Sequence, residues 1–176
     1  MGNRYFPCGV IYPEPEAKEM TDLDVGDVAP EFCLPDENGA ETCLSELKGN
    51  HAVVYFYPKD MTSGCTKEAH DFTEQLDTFN EVSVPVIGIS PDPPERHRKF
   101  IEKNDLKIKL LSDEGHEVLE KYGVWQKKKM YGKEYWGVVR TTFIIDPEGK
   151  VASVWPKVKV NGHVDSVMKK LRELLG

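Results

Sequence analysis

The stretch HAVVYFYPKDMTSGCTKEAHDFTEQLDTFNEVSVPVIGIS, residues 51–90, decides the fold. HAVVYFY is a continuous apolar run, the pattern of a strand buried on both faces rather than one that alternates between core and water. TSGCTKEAHDFTEQLDTFN reads as one helix with Phe72, Leu76 and Phe79 along one side, and VPVIGIS, 84–90, as a second central strand. Strand, helix and strand in that order make a right-handed crossover between parallel neighbours.

Outward from that unit the chain keeps alternating, as an α/β layer fold does. PPERHRKFIEKN and EGHEVLEKYG read as further helices, the second closed by Gly123. VVRTTFIID and KVASVWPKV flank the turn PEG as an antiparallel pair. The last segment, GHVDSVMKKLRELL, sets Val164, Val167, Met168, Leu171 and Leu175 on one stripe. The expected product is a central mixed sheet with helices on both faces, spanning 23–176. Residues 1–22, with Pro7, Pro13 and Pro15, read as an irregular N-terminal extension.

A chain of 176 residues fits one domain. Its formal charge of −7 disfavours a nucleic-acid partner. No segment reaches the ~20 apolar residues of a membrane span, and the N-terminus lacks an apolar signal region, so a cytoplasmic protein is expected. The four cysteines, at 8, 33, 43 and 65, form neither a C-x-x-C pair nor a zinc-ligand spacing.

Cys65 stands where the buried strand gives way to the helix, with Thr62 or Ser63 as the cap. Free backbone N–H groups and the positive end of the helix dipole favour the thiolate there, and the thiolate is the reactive form. Arg140, in the middle of VVRTTFII, is a cation in an expected interior strand and needs an anion. Either it pairs with a carboxylate, or it faces Cys65 and stabilises charge on the sulfur.

PKDMTSGC, 58–65, matches the P-x-x-x-T-x-x-C pattern of peroxiredoxins, and RTTFIIDPEGKV resembles their arginine-bearing segment. YFYPKD, CTKEA, YGVW, KKMYGKEYWGVVRTTFIIDPEGKV and KVKVNGHVDSV are together similar to the bacterioferritin comigratory protein, or Q-type, branch. The resemblance implies a thioredoxin-like fold and an antioxidant thiol peroxidase with no metal, haem or flavin cofactor. Carried over by position, Cys65 is the peroxidatic cysteine, Thr62 hydrogen-bonds sulfur or peroxide, Pro58 shields the pocket and Arg140 holds thiolate and peroxide. The implied partners are hydrogen peroxide or an organic hydroperoxide and a thioredoxin-like or small-thiol reductant, acting on a monomer or homodimer.

The chain departs from that branch at position 70, where many relatives carry a resolving cysteine and this chain has His70. No cysteine follows Cys65, so resolution falls to an external thiol or to Cys8, Cys33 or Cys43. His70 lies ~140° around the helix from Cys65 and reads as a surface histidine. Glu68 reads as a partner of the helix dipole. A three-residue turn at Glu37-Asn38-Gly39 sets Cys33 opposite Cys43, whereas a two-residue turn separates them. In a reducing compartment two free thiols are expected, and Cys8 on the proline-rich arm is the favoured upstream resolver. WQKKKMYGKEYW, 125–136, reads as a solvated loop with its rings packed on the domain. Two other functions fit the same residues: a peroxide-sensing redox module, and a thiol-disulfide oxidoreductase, which the missing C-x-x-C disfavours.

Overall fold

The computed structural model describes residues 23–176, so Cys8 and the 1–22 extension lie outside the described residues. Five strands form the central sheet: β3 (Ala52–Phe56), β4 (Val86–Ser90), β5 (Lys109–Ser112), β8 (Thr141–Ile145) and β9 (Val151–Trp155), in the order β5-β4-β3-β8-β9. β3, β4 and β5 run parallel, and β8 and β9 are antiparallel to their neighbours. The helices are α1 (Ser63–Glu74), α2 (Leu76–Glu81), α3 (Pro94–Asn104), α4 (Glu117–Lys121) and α5 (His163–Leu175). The two remaining pairs, β1 (Cys33–Pro35) with β2 (Glu41–Cys43) and β6 (Trp125–Met130) with β7 (Lys133–Val138), are separate hairpins.

β3 is apolar throughout because it serves two cores. Val53 and Tyr55 face a cluster with Phe72, Phe79, Phe100, Val167 and Leu171, under α1, α2, α3 and α5. Val54 and Phe56 face the opposite cluster with Leu34, Leu44, Leu119 and Tyr122, under α4 and the β1–β2 hairpin. This is the mixed sheet with helices on both faces that the alternation predicts. On β4, Gly88 is required by packing: a Cβ there would sit 2.7 Å from the Tyr55 ring. No helix among the described residues is long and apolar enough to cross a membrane.

Several local expectations change. The expected single helix after β3 breaks at Gln75 (φ −100, ψ 7) into α1 and α2, and Phe72 and Phe79 both reach the core as their spacing predicts. Leu175, expected on the buried stripe of α5, is exposed as the last residue of that helix. The 125–136 run is a hairpin rather than a loop. Lys127 pairs with Trp136 and Lys128 with Tyr135, while Tyr131, Tyr135 and Trp136 face solvent.

The Cys33 and Cys43 thiols, expected to be free, are joined in a disulfide. The three-residue turn forms: Gly39 adopts φ 80, and the Asp36 carboxylate accepts the Asn38 and Ala40 amides. This register pairs Cys33 with Cys43. Backbone bonds at Phe32/Leu44 and Asp36/Ala40 leave Cys33/Cys43 at a non-hydrogen-bonded position, where cross-strand side chains come closest. Pro35 sits at the next such position opposite Glu41, so its missing N–H costs the ladder nothing. Free thiols were expected from the compartment, and the strand geometry overrides that argument.

Candidate active site

Cys65 is the third residue of α1, 2% exposed, on the face that carries Ala69 and Phe72 into the core. The first intrahelical bond runs from the Thr66 amide to the Thr62 carbonyl, so the amides before it are those a helix start leaves without an intrahelical acceptor. Thr62 occupies the cap position with extended backbone (φ −85, ψ 154), but its hydroxyl donates to the Lys59 carbonyl at 2.8 Å. With that proton committed, Thr62 has only lone pairs to offer a ligand. Pro58 is half-buried where the chain leaves β3.

Arg140 reaches Cys65 from the far end of the sequence. Because β8 runs antiparallel to β3 and pairs Thr141 with Phe56, the residue just before β8 arrives at the end of β3 from which Cys65 follows. Arg140 thus lies in the link between β7 and β8 and not inside a strand, a correction to the expected interior position. The Val158 amide holds its carbonyl at 2.9 Å. Its Nη2 donates to Cys65 Sγ at 3.3 Å and its Nη1 to Glu68 Oε1 at 2.7 Å. Gly64 eases the approach, since a Cβ there would stand 3.2 Å from Nη2 and press the guanidinium away by a few tenths of an ångström.

Glu68 is not the first-turn dipole partner expected. It is fully buried, one α-helical turn beyond Cys65, and shares Arg140 with it. Burial pushes its carboxyl up to about 7, and Arg140 pulls only part of that back. Its second oxygen and the Tyr55 hydroxyl are buried without hydrogen-bond partners among the described residues. Burial opposes the charge on Arg140, but Glu68 and Cys65 outweigh it and hold the guanidinium more firmly protonated. One cation therefore bridges a sulfur and a carboxyl that titrates near neutrality. His70, part-exposed on α1, makes no hydrogen bond to Cys65.

A second buried network fixes the loop that carries Pro58 and Thr62. The Asp60 carboxylate meets Tyr57 Oη and, at 2.6 Å, His97 Nδ1; His97 Nε2 meets the Leu111 carbonyl at 3.0 Å. The Asp60 amide donates to Asp92 Oδ2 at 2.8 Å, an oxygen that Ser90 also approaches at 2.7 Å, while Asp92 Oδ1 faces Arg96 Nε at 3.2 Å. Asp60, Asp92 and His97 bring three metal-binding groups together, yet every one of these atoms is already engaged by protein, which fits a lock better than an ion site. No local motif in the sequence announces this trio. The signal was positional: Phe56 and Ile89 are register partners in parallel β3 and β4, so acids shortly after each strand emerge side by side.

The Cys33–Cys43 pair belongs elsewhere. Leu34 and Leu44 point into the second core, under the opposite face of the sheet from Cys65, and the alternating Cys33 is exposed. Among the described residues Cys65 is the free cysteine. A surface cavity of about 530 Å³ beside Gln75, Asp165 and Met168 is likewise separate from the Cys65 contacts.

Residues 25–154 match the model of the AhpC/TSA family. The chain is 45% identical to peroxiredoxin Bcp of Bacillus subtilis, over 86% of this chain and 97% of that protein. It is 44% identical to peroxiredoxin Bcp of Escherichia coli, over 88% and 99%. Among solved structures, a Xanthomonas campestris bacterioferritin comigratory protein, studied for alkyl peroxide reduction, superposes with TM-score 0.81 at 35% identity, over 89% of this chain and 99% of that one. A Xylella fastidiosa PrxQ gives TM-score 0.83 at 30% identity, over 88% and 98%. The chain therefore belongs to the AhpC/TSA family, among the Bcp or PrxQ peroxiredoxins, which are thiol-dependent peroxidases.

Proposed function

We propose that the chain reduces hydrogen peroxide and organic hydroperoxides at Cys65, and that an external thiol then restores it. The observation that carries this reading is the Arg140 bridge, with one guanidinium nitrogen on Cys65 Sγ and the other on Glu68.

In the first step the Cys65 thiolate attacks one oxygen of the peroxide. The O–O bond breaks, hydroxide or alkoxide leaves and takes up a proton, and Cys65 becomes a sulfenic acid. Charge moves from sulfur to the departing oxygen, so a cation held beside the sulfur stabilises both ends of the displacement. Arg140 and the amides at the start of α1 are placed to do this. Thr62, its own proton on Lys59, accepts a hydrogen bond from the peroxide O–H and orients it. Pro58, half-buried where the chain leaves β3, shields the sulfur from water.

In the second step a thiol attacks Cys65 Sγ and releases water, and a further thiol displaces the Cys65 thiolate from the mixed disulfide. Overall, one peroxide and two thiols give an alcohol or water, water and one disulfide. An external reductant is the reading we favour because Cys33 and Cys43 hold each other on the opposite face. We place this cycle in the cytoplasm, where a thiol pool returns Cys65 to its reduced form. Cys65→Ser is expected to abolish peroxide consumption driven by a thiol, and sustained turnover in that variant would overturn the reading.

A further inference from the structure

The base of the β6–β7 hairpin packs on the second core through Trp125 and Val138, but its outer end packs on nothing else among the described residues and is costly to form. Its tip places Tyr131 at φ 50 and Gly132 at φ 78, the two left-handed positions of a tight turn that suit Asn-Gly. A tyrosine there is conformationally costly, and its ring is 97% exposed. Met130 and Trp136 are 55% and 57% exposed on the same hairpin. The register sets Trp136 on one face of the ribbon with Lys127 and Lys129 and Met130 on the other with Lys133, with Tyr131 at the tip, so exposed apolar groups and lysines alternate around the outer end of the hairpin.

Its charge says what the contact is. Lys127, Lys128, Lys129 and Lys133 against Glu134 give the hairpin +3, which leaves −10 on the rest of a chain whose formal charge is −7. An acidic protein is repelled by most of this molecule and drawn to the hairpin. The hairpin also leads into the reactive centre. β7 ends at Val138, two residues before Arg140, and Lys128, which donates to the Val138 carbonyl at 2.9 Å and stands over the Tyr135 ring, feels the charges of both Arg140 and Cys65.

We propose that this hairpin is the docking surface for an acidic protein that carries the reducing thiol, steering it onto oxidised Cys65. The proposal rests on the peroxidase reading above. Tyr131 at the tip and Trp136 on the face that carries Lys127 and Lys129 supply the apolar contact, and the lysines supply the approach rate and the choice of partner.

The test separates the half-reactions by stopped flow, with thioredoxin, an acidic dithiol protein, as the probe. The variant combines Lys127→Glu, Lys129→Glu and Lys133→Glu with Tyr131→Asn, and Tyr131→Asn alone is a control because asparagine suits that turn. Oxidation by hydrogen peroxide and re-reduction by dithiothreitol should stay within twofold of the parent. Re-reduction by thioredoxin should slow about tenfold or more, and the parent's rate, unlike the variant's, should fall with added salt. Equal thioredoxin rates in parent and variant would overturn the docking surface and leave the peroxidase intact. Self-association of the parent that the variant loses would also overturn it, by assigning the hairpin to a second copy of the chain. A parent that shows no peroxide-driven phase at all would sink the peroxidase reading itself.

Discussion

Replacing Arg140 by methionine keeps much of the side chain's bulk and removes the cation that bridges Cys65 and Glu68. At 3.3 Å between Nη2 and Sγ, a full charge pair is worth about 5 kcal/mol at the effective dielectric suited to partly buried groups. The loss is smaller than that, because Glu68 without its partner takes up its proton and ceases to oppose charge on the sulfur. About half, ~2–3 kcal/mol, is the expected cost to the displacement, and this is roughly a 30- to 150-fold slower reaction with peroxide. Arg140→Lys restores a charge but not the fork that touches both partners, so it should fall between parent and methionine. The assay is the second-order rate of Cys65 oxidation by hydrogen peroxide, with folding checked by circular dichroism. A folded Arg140→Met variant within threefold of the parent would refute the role given to this contact.

Glu68→Gln tests the buried carboxyl through stability. The folded carboxyl titrates near 7 against a reference of 4.5, so the folded state holds its proton more tightly and this group's contribution falls as pH rises through about 7. Relative to the parent, the variant should gain stability in urea between pH 5 and pH 8; a pH-independent difference would contradict the assignment. His97→Ala leaves Asp60 short of a hydrogen-bond partner in a site where both side chains are 0% exposed, and should cost ~2–3 kcal/mol in chemical denaturation with slower peroxide reaction. A loss under 1 kcal/mol would mean the lock holds without His97. Converting Cys33 and Cys43 to serine opens a disulfide with sequence separation 10 and should cost ~2–3 kcal/mol without reductant. Peroxide should oxidise Cys65 in that variant at the parental rate, and a large fall in rate would tie the pair to the first chemical step.

The sequence carried the layer order because β3 and β4 are apolar for a reason visible in one dimension: each feeds two cores. It also carried Cys65 and Arg140 as candidates, since a cysteine at a strand-to-helix junction and a cation beside a buried strand each pose a local question. That the two answer each other depends on β8 lying antiparallel to β3, a pairing the local pattern does not contain. Glu68 was misread for the same reason. Its burial comes from the tertiary packing of α1, and nothing within CTKEAH marks that face as dry. The Cys33–Cys43 geometry was legible as one of two turn lengths, and the backbone bond between Asp36 and Ala40 selects the three-residue turn. The hairpin at 125–138 was hidden because lysine-rich, solvent-facing strands lack the alternation that marks a half-buried sheet.

The most direct measurement is peptide mapping of the reduced protein after one equivalent of hydrogen peroxide, with a sulfenic-acid trap such as dimedone present from the start. The trap is expected on Cys65 in most chains, on neither Cys33 nor Cys43, and nowhere in Cys65→Ser. An adduct on another cysteine with Cys65 still reduced would contradict Cys65 as the peroxidatic cysteine.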